Sequence, residues 1–382
     1  MTQKELEKAV DILMERFDEV NAFFIAKVAQ QIKKIGELIP STASILTVMA
    51  DMNEDIAEIN QKLADALKIT VPQVYALYQQ AMDDNITDPR FERALKEAPL
   101  TDDAKANLNH YAKAISRQTA GSMANLSNTT IASQAYRQAV DKGILAVSSG
   151  LTDYKSATRQ VIRDLGHGGL QIQYPSGYHR RLDTAIRQNV IDGAKQIAQQ
   201  GSLMMGEELG FDAYELSAHL RSAPDHEPIQ GRIFLKEEFE KLQSGQPFKD
   251  IDGNEYGAIQ RAIGEWNCMH FPMSFSTKYS KRKYSDEKLK KYAADNARGC
   301  EIDGKHYTIY EAAQLMRKIE TAVRREKDTA NAARAAGDDD LRRECQKRIN
   351  ALSARYQTIV NVSGITARKD RMVVEGFRMV KI

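Results

Sequence analysis

Cysteine is scarce in this 382-residue chain, which holds only Cys268, Cys300 and Cys345. An odd number at such wide spacing makes no disulfide framework and fits a reducing compartment. Long apolar runs are missing too. Even Ile39 to Met52 is interrupted by Pro40, Ser41, Thr42, Ser44, Thr47 and Asp51, far short of the roughly 18 apolar residues a membrane helix needs. Met1 to Lys8 lacks a basic region followed by an apolar one, so no secretory leader and no membrane partner are expected, and the chain is expected to be made in a cytosol. Familiar enzyme signatures are absent: the phosphate-binding Gly-x4-Gly-Lys-Ser/Thr loop, His-Glu-x-x-His and Gly-x-Ser-x-Gly.

With 42% hydrophobic and 28% charged residues, the chain has the balance of a folded globular protein of two or three units. The net charge is only +2, yet it is unevenly spread. Residues 1–277 hold 29 Lys/Arg against 37 Asp/Glu, a balance of −8; residues 278–382 hold 25 against 15, a balance of +10. Such polarity points either to contact with nucleic acid or an acidic surface, or to a solvated helical face.

Apolar residues recur at helical spacing from Gln3 to about Leu38, and further helices are expected at Met52–Leu67, Thr70–Asp83, Asp88–Lys96, Asp102–Arg117 behind the cap Thr101, and Thr129–Ser149. Thr152 and Asp153 open another helix through Asp164. Gly166, Gly168 and Gly169 are expected to break it. Leu170 to Tyr174 alternates apolar with polar before the turn at Pro175–Gly177, which reads as a hairpin or edge strand. Leu182 to Gly201 returns to helix. Phe211 to Phe275 is aromatic and turn-rich, with a strand at Tyr214–His219. Tyr310–Ala336 and Asp338–Tyr356 form a helical hairpin, punctuated by Gly337 and capped by Asp338, and Val362–Ile382 reads as an extended tail or short strand pair. The expected fold is mainly α, with long N-terminal amphipathic helices (1–149), a small α+β central domain (150–277) and a basic C-terminal helical hairpin and tail (278–382).

Rare residue types gather in two windows, 215–231 and 264–270. Three of the seven histidines, the single tryptophan and one cysteine lie there. The pattern Ser217, Ala218, His219, Arg221, Pro224, His226, Gln230, Gly231, then Trp266, Asn267, Cys268 and His270 resembles the phage minor capsid protein 2 family, itself related to the Mu F-like head morphogenesis proteins. The pattern departs at Met269, where the family usually has Arg, and at Pro228–Ile229, where an aromatic often precedes the Gln. The turn at Tyr174–Gly177 with Arg181 and Arg187, and Tyr310–Gln314 with Arg317, Glu320 and Arg324, extend the similarity over roughly residues 150–380. The resemblance implies a structural, non-enzymatic assembly protein of a tailed-phage head, made in the bacterial host cytoplasm and carried in the virion. Its implied partners are the portal, capsid or scaffold proteins, and packaged double-stranded DNA. Two rivals stand beside it: an injected enzyme or toxin on a head-protein module, and a plain DNA-binding protein.

His219, His226, Cys268 and His270 carry ligand types that zinc prefers, and on a strand Cys268 and His270 would share a face. The gaps of six and one residue are unusual for a structural zinc motif. The competing reading needs no cofactor: hydrogen-bonded histidines pin a loop, and Cys268 packs as a small apolar group. Trp266 is read as a core anchor, and Gly231 and Gly264 as turn residues. Asp250, Asp252 and Asn254 around Gly253 read as a polar turn rather than a calcium loop, since the twelfth position from Asp250 holds no glutamate. Lys278, Lys281, Arg282, Lys283, Lys288, Lys290 and Lys291, interleaved with Tyr279, Tyr284 and Tyr292, are the DNA-binding candidates.

Overall fold

Apolar residues three and four apart over ten turns can be satisfied only by a helix covered along its length, and this is how the chain begins. Helix α1 (Gln3–Glu37) buries Leu6, Val10, Leu13, Phe17, Val20, Phe24, Val28 and Ile32 against α2 (Thr42–Ile86) and four later helices. The structure is a computed structural model and describes residues 3–37, 42–127, 129–148, 154–174, 177–264, 268 and 270–380.

Where two helices were expected between Met52 and Asp83, α2 is one 45-residue helix with Pro72 inside it. An interior proline costs about 3 kcal/mol. Packing on both sides offsets it: Thr70, Val74 and Tyr78 are fully buried, and the Tyr78 hydroxyl donates to the Val190 carbonyl at 2.9 Å and lies 3.1 Å from Thr119 Oγ1. The helix expected at Asp88–Lys96 shrinks to α3 (Glu92–Glu97) because the Asp88 carboxylate accepts from the Arg90 amide at 2.9 Å and from its guanidinium, which makes a turn instead. Helix α4 (Asp102–Leu126) starts as expected, with Thr101 accepting from the Ala104 amide at 3.1 Å. Helices α5 (Thr129–Ser148) and α6 (Tyr154–Gly168) follow, and Thr152 and Asp153 lie outside the described residues.

Gly166 does not break α6. The helix runs through it and ends only before Gly169, at φ +59°. Gly166 instead lets a later helix approach: a Cβ there would overlap the backbone of Thr329. The expected hairpin forms as β1 (Gln171–Gln173) paired antiparallel with β2 (His179–Arg181), while Pro175 and Ser176 of its turn lie outside the described residues. Helix α7 (Leu182–Glu208) follows directly.

The α+β part comprises β3 (Ala213–Leu216), β4 (Ile233–Leu235), α8 (Lys236–Gln243), β5 (Phe248–Lys249), β6 (Glu255–Tyr256) and β7 (Pro272–Phe275). Strand β3 is central in an antiparallel sheet, with Tyr214 opposite Phe234 on one side and Ser274 on the other. The β5–β6 hairpin is held by Asp250, whose carboxylate accepts from the Asp252 and Asn254 amides, the Asn254 side chain and the Tyr256 hydroxyl at 2.8–3.0 Å, the polar turn read from the sequence. Next come α9 (Asp286–Arg298) and a hairpin of β8 (Cys300–Ile302) and β9 (Lys305–Tyr307), neither of them anticipated. The C-terminal hairpin is α10 (Ile309–Ala336) and α11 (Asp339–Ser363). Gly337 is left-handed between them, and Asp338 accepts from the Leu341 amide at 2.9 Å. The tail forms no strand among its described residues. It makes a short 3-10 turn at Lys369–Met372, where Arg368 and Arg371 close on Glu7 of α1 at 2.6 and 3.2 Å.

An ionic knot, buried at Arg181, Asp183 and Asp328 and partly exposed at Arg324 and Asp18, ties α1, β2, α7 and α10 together. Arg181 donates to both Asp183 and Asp328, and Arg324 donates to Asp183 at 3.0 Å and lies 3.9 Å from Asp18. Burial works against the Asp183 carboxylate, but the guanidinium groups of Arg181 and Arg324 hold it below the usual carboxylate range. Asp18 goes the other way: burial and the neighbouring Asp183 carboxylate push it up to about 7.

Asp18 therefore keeps its proton in the folded chain at a pH where the unfolded chain has released it, so its contribution to stability declines as pH rises from about 4 to about 7. Asp18→Asn, whose amide donates as the protonated acid does, is expected to raise the denaturation midpoint at about pH 8, with the gain fading near pH 4; a pH-independent difference would contradict the assignment. Gly166→Ala is expected to destabilise the chain by about 1–3 kcal/mol in equilibrium denaturation, because the new methyl forces α6 away from Thr329.

Candidate functional site

The turn-rich loop between β3 and β4 carries the first motif window. Ser217 prolongs the β3–β7 ladder: its amide donates to the Phe271 carbonyl at 2.9 Å, and its hydroxyl accepts from the Phe271 amide at 3.0 Å. That register sets the loop beside Cys268 and His270, just ahead of β7. Gln230 closes the loop, its Oε1 accepting from the His219 amide at 3.0 Å, eleven residues back. Arg221 stands at φ +74°, rare for a residue with a Cβ, and Pro224 lies exposed in the following turn. Gly231 is at φ +69°, where a Cβ would strike the Leu289 side chain and crowd Tyr284; only glycine lets α9 lie this close. Gly264, at φ +92°, has open space around it and serves a turn.

Inside this frame His226, Cys268 and His270 converge. Cys268 Sγ lies 3.4 Å from His226 Nδ1 and 3.8 Å from His270 Nδ1, and the three candidate ligand atoms are all within 4.8 Å of one another. The far nitrogens are held from behind. His226 Nε2 is 2.7 Å from the Arg261 carbonyl, and His270 Nε2 is 3.4 Å from Gln230 Oε1 and 3.3 Å from Ser222 Oγ. His219 stands beside the set: its ring stacks on His270 with centroids 4.4 Å apart, its Nδ1 meets the Leu220 carbonyl at 3.2 Å, and its Nε2 is buried without a hydrogen-bond partner. Trp266 and Asn267, and with them Met269, lie outside the described residues.

Burial, then the neighbouring His219 and His226, push His270 down to about 3, so it is neutral. Burial also lowers His219. In His226 the contact with Cys268 and the Arg261 carbonyl outweigh burial and raise it; in Cys268 the contact with His226 outweighs burial and lowers it. Asp225 and Arg261 form a two-pronged ion pair at 3.0 Å along the edge of this site.

The basic segment is pinned beneath the same sheet by a residue the motif reading passed over. The buried Glu215 of β3 accepts from the Lys283 amide at 2.8 Å and the Tyr284 amide at 3.3 Å. Two of the three interleaved tyrosines are not free platforms. Tyr284 is buried, and Tyr279 packs on Phe211 with its hydroxyl bonded to Glu97 at 2.6 Å. Of the seven cations, Lys278 pairs with Glu97 and Arg282 with Asp252, and Lys283 reaches back over Tyr284. Lys281, Lys288, Lys290 and Lys291 are exposed and make no ion pair with a described residue.

Gln230→Ala removes the acceptor shared by the His219 amide and His270 in a buried loop. It is expected to cost about 1–3 kcal/mol in equilibrium denaturation, more than an alanine at exposed Pro224. Comparison with curated proteins and with solved structures gave no match. The family model described as Phage minor capsid protein 2 matches residues 1–361, which spans both motif windows, the ionic knot and most of the C-terminal hairpin. The chain therefore belongs to the phage minor capsid protein 2 family and is a structural protein of the phage head.

Proposed function

We propose that this protein acts as an assembly component beside the portal, and that the surface around the start of α9 contacts packaged DNA. The observation that carries the DNA reading is the group of exposed cations Lys281, Lys288, Lys290 and Lys291, which form no ion pair with a described residue, held on a base fixed by Glu215 and by Tyr284. Ammonium groups presented in this way neutralise phosphates without reading bases, which suits a protein that meets whatever sequence is packaged. With Tyr279 and Tyr284 packed inward, phosphate contact rather than base stacking is the main mode of binding.

The apolar stripe of α1 serves the protein's own core, so contact with the portal, capsid or scaffold proteins falls to polar and mixed surfaces, where single apolar residues such as Ile12, Met49 and Ile69 are exposed. A structural role agrees with a motif cluster that braces its loop: Gln230 ties the His219 amide to His270, and the Arg261 carbonyl holds His226.

Binding of the full chain to a short DNA duplex, followed by fluorescence anisotropy over a salt series, tests the proposal. Affinity is expected to fall steeply with salt, and Lys281→Ala, Lys290→Ala and Lys291→Ala together are expected to reduce the log–log slope by about 2–3. An unchanged slope in the triple variant would reject this surface as the DNA contact. For the portal, co-purification of the full chain with the portal protein is the direct measurement, and a failure to associate would reject that placement.

A further inference from the structure

We infer that His226 Nδ1, Cys268 Sγ and His270 Nδ1 form a binding site for a thiophilic divalent cation, zinc above all, that clamps the β3–β4 loop to the segment leading into β7. The argument begins with protons. The Arg261 carbonyl only accepts, so His226 Nε2, 2.7 Å away, carries the hydrogen and Nδ1 is a bare lone pair. His270 is fixed in the same way. Gln230 Oε1 already accepts from the His219 amide, and the Ser222 hydroxyl donates to the Ala223 carbonyl at 3.2 Å, so both neighbours of His270 Nε2 present acceptors to it. Its Nδ1 is therefore bare as well.

Two imidazole lone pairs thus face a single thiol, which has one proton to share between them. Without a cation, one Nδ1 confronts sulfur with no hydrogen in between. A metal ion resolves this by replacing that proton and accepting all three electron pairs.

The distances fit. A tetrahedral zinc with sulfur at about 2.3 Å and nitrogens at about 2.0–2.1 Å spaces a sulfur and a nitrogen about 3.5 Å apart. Cys268 Sγ lies 3.4 and 3.8 Å from the two nitrogens. The supports on the far nitrogens are those that ligating histidines use: a backbone carbonyl behind His226, and an amide oxygen and a hydroxyl behind His270. His219 is a wall of the site rather than a ligand, since its ring lies flat on that of His270. The fourth coordination position falls to solvent.

This inference is independent of DNA or portal binding. Its test is cobalt substitution in the untagged full-length chain. Stripped of metal and titrated with Co(II), the protein is expected to bind one equivalent and to show the thiolate-to-cobalt charge-transfer band together with the intense visible bands of tetrahedral cobalt. Zinc is expected to bleach these bands. Cys268→Ser is expected to abolish the charge-transfer band, and Cys300→Ser with Cys345→Ser to leave it intact. A parallel readout does not depend on that variant folding: metal analysis of the native chain should return one zinc per chain, and chelation should lower its melting temperature. A natural-sequence chain that is folded yet holds no zinc and gives no cobalt spectrum would overturn the inference, as would a band that survives Cys268→Ser.

Discussion

The guanidinium of Arg181 lies where four elements meet. It is the last residue of β2 and grips Asp183 in the first turn of α7 and Asp328 deep in α10, while Arg324 reaches from α10 toward Asp183 and Asp18 of α1. Charges this deep bring little net stability, because stripping their water offsets most of their attraction. They do punish misplacement. A helix displaced by one turn would leave a buried carboxylate unpaired, at about 3–5 kcal/mol, so the knot fixes the register in which the apolar faces of the bundle meet. Close approaches built from glycine follow from that register. Gly166 admits Thr329 between α6 and α10, and Gly193 admits the Tyr78 hydroxyl between α7 and α2.

Much of this architecture could be read from residue spacing. The apolar period of α1, the Thr101 cap, the alternation that forms β1 and the Gly337–Asp338 junction all specify their structures locally, and each formed where expected. What stayed hidden depends on residues far apart in sequence. The break expected between Leu67 and Thr70 does not occur, because the burial of Thr70, Val74 and Tyr78 against distant elements, which carries α2 through it, is not visible locally. Gly166 looked like a breaker because Thr329 is over 160 residues away. The histidine–cysteine cluster fits no standard spacing for the same reason: it is assembled by the pairing of Ser217 with Phe271, and no count along the chain reveals a sheet register.

The charge asymmetry has a physical meaning of its own. Part of the basic excess in the C-terminal third is spent internally on the acidic front: Arg368 and Arg371 on Glu7, and Arg324 on Asp18 and Asp183. Composition cannot separate such cations from those that face outward. The family resemblance identified the class of protein, while the individual partners of each side chain distinguish the surface around Lys281, Lys288, Lys290 and Lys291 from the arginines that hold the molecule together.

The packing of α1 against α10 has a further consequence during synthesis. These helices begin on the order of 300 residues apart. At a ribosomal pace of about 5–20 residues per second, the greasy face of α1 waits roughly 15–60 seconds before its distant cover is translated. The part of the α1 stripe that α10 covers stays bare throughout that interval, while α2 and α5, translated sooner, are available to cover the rest. A chaperone, or a neighbouring nascent chain, thus meets this stripe before the finished protein hides it.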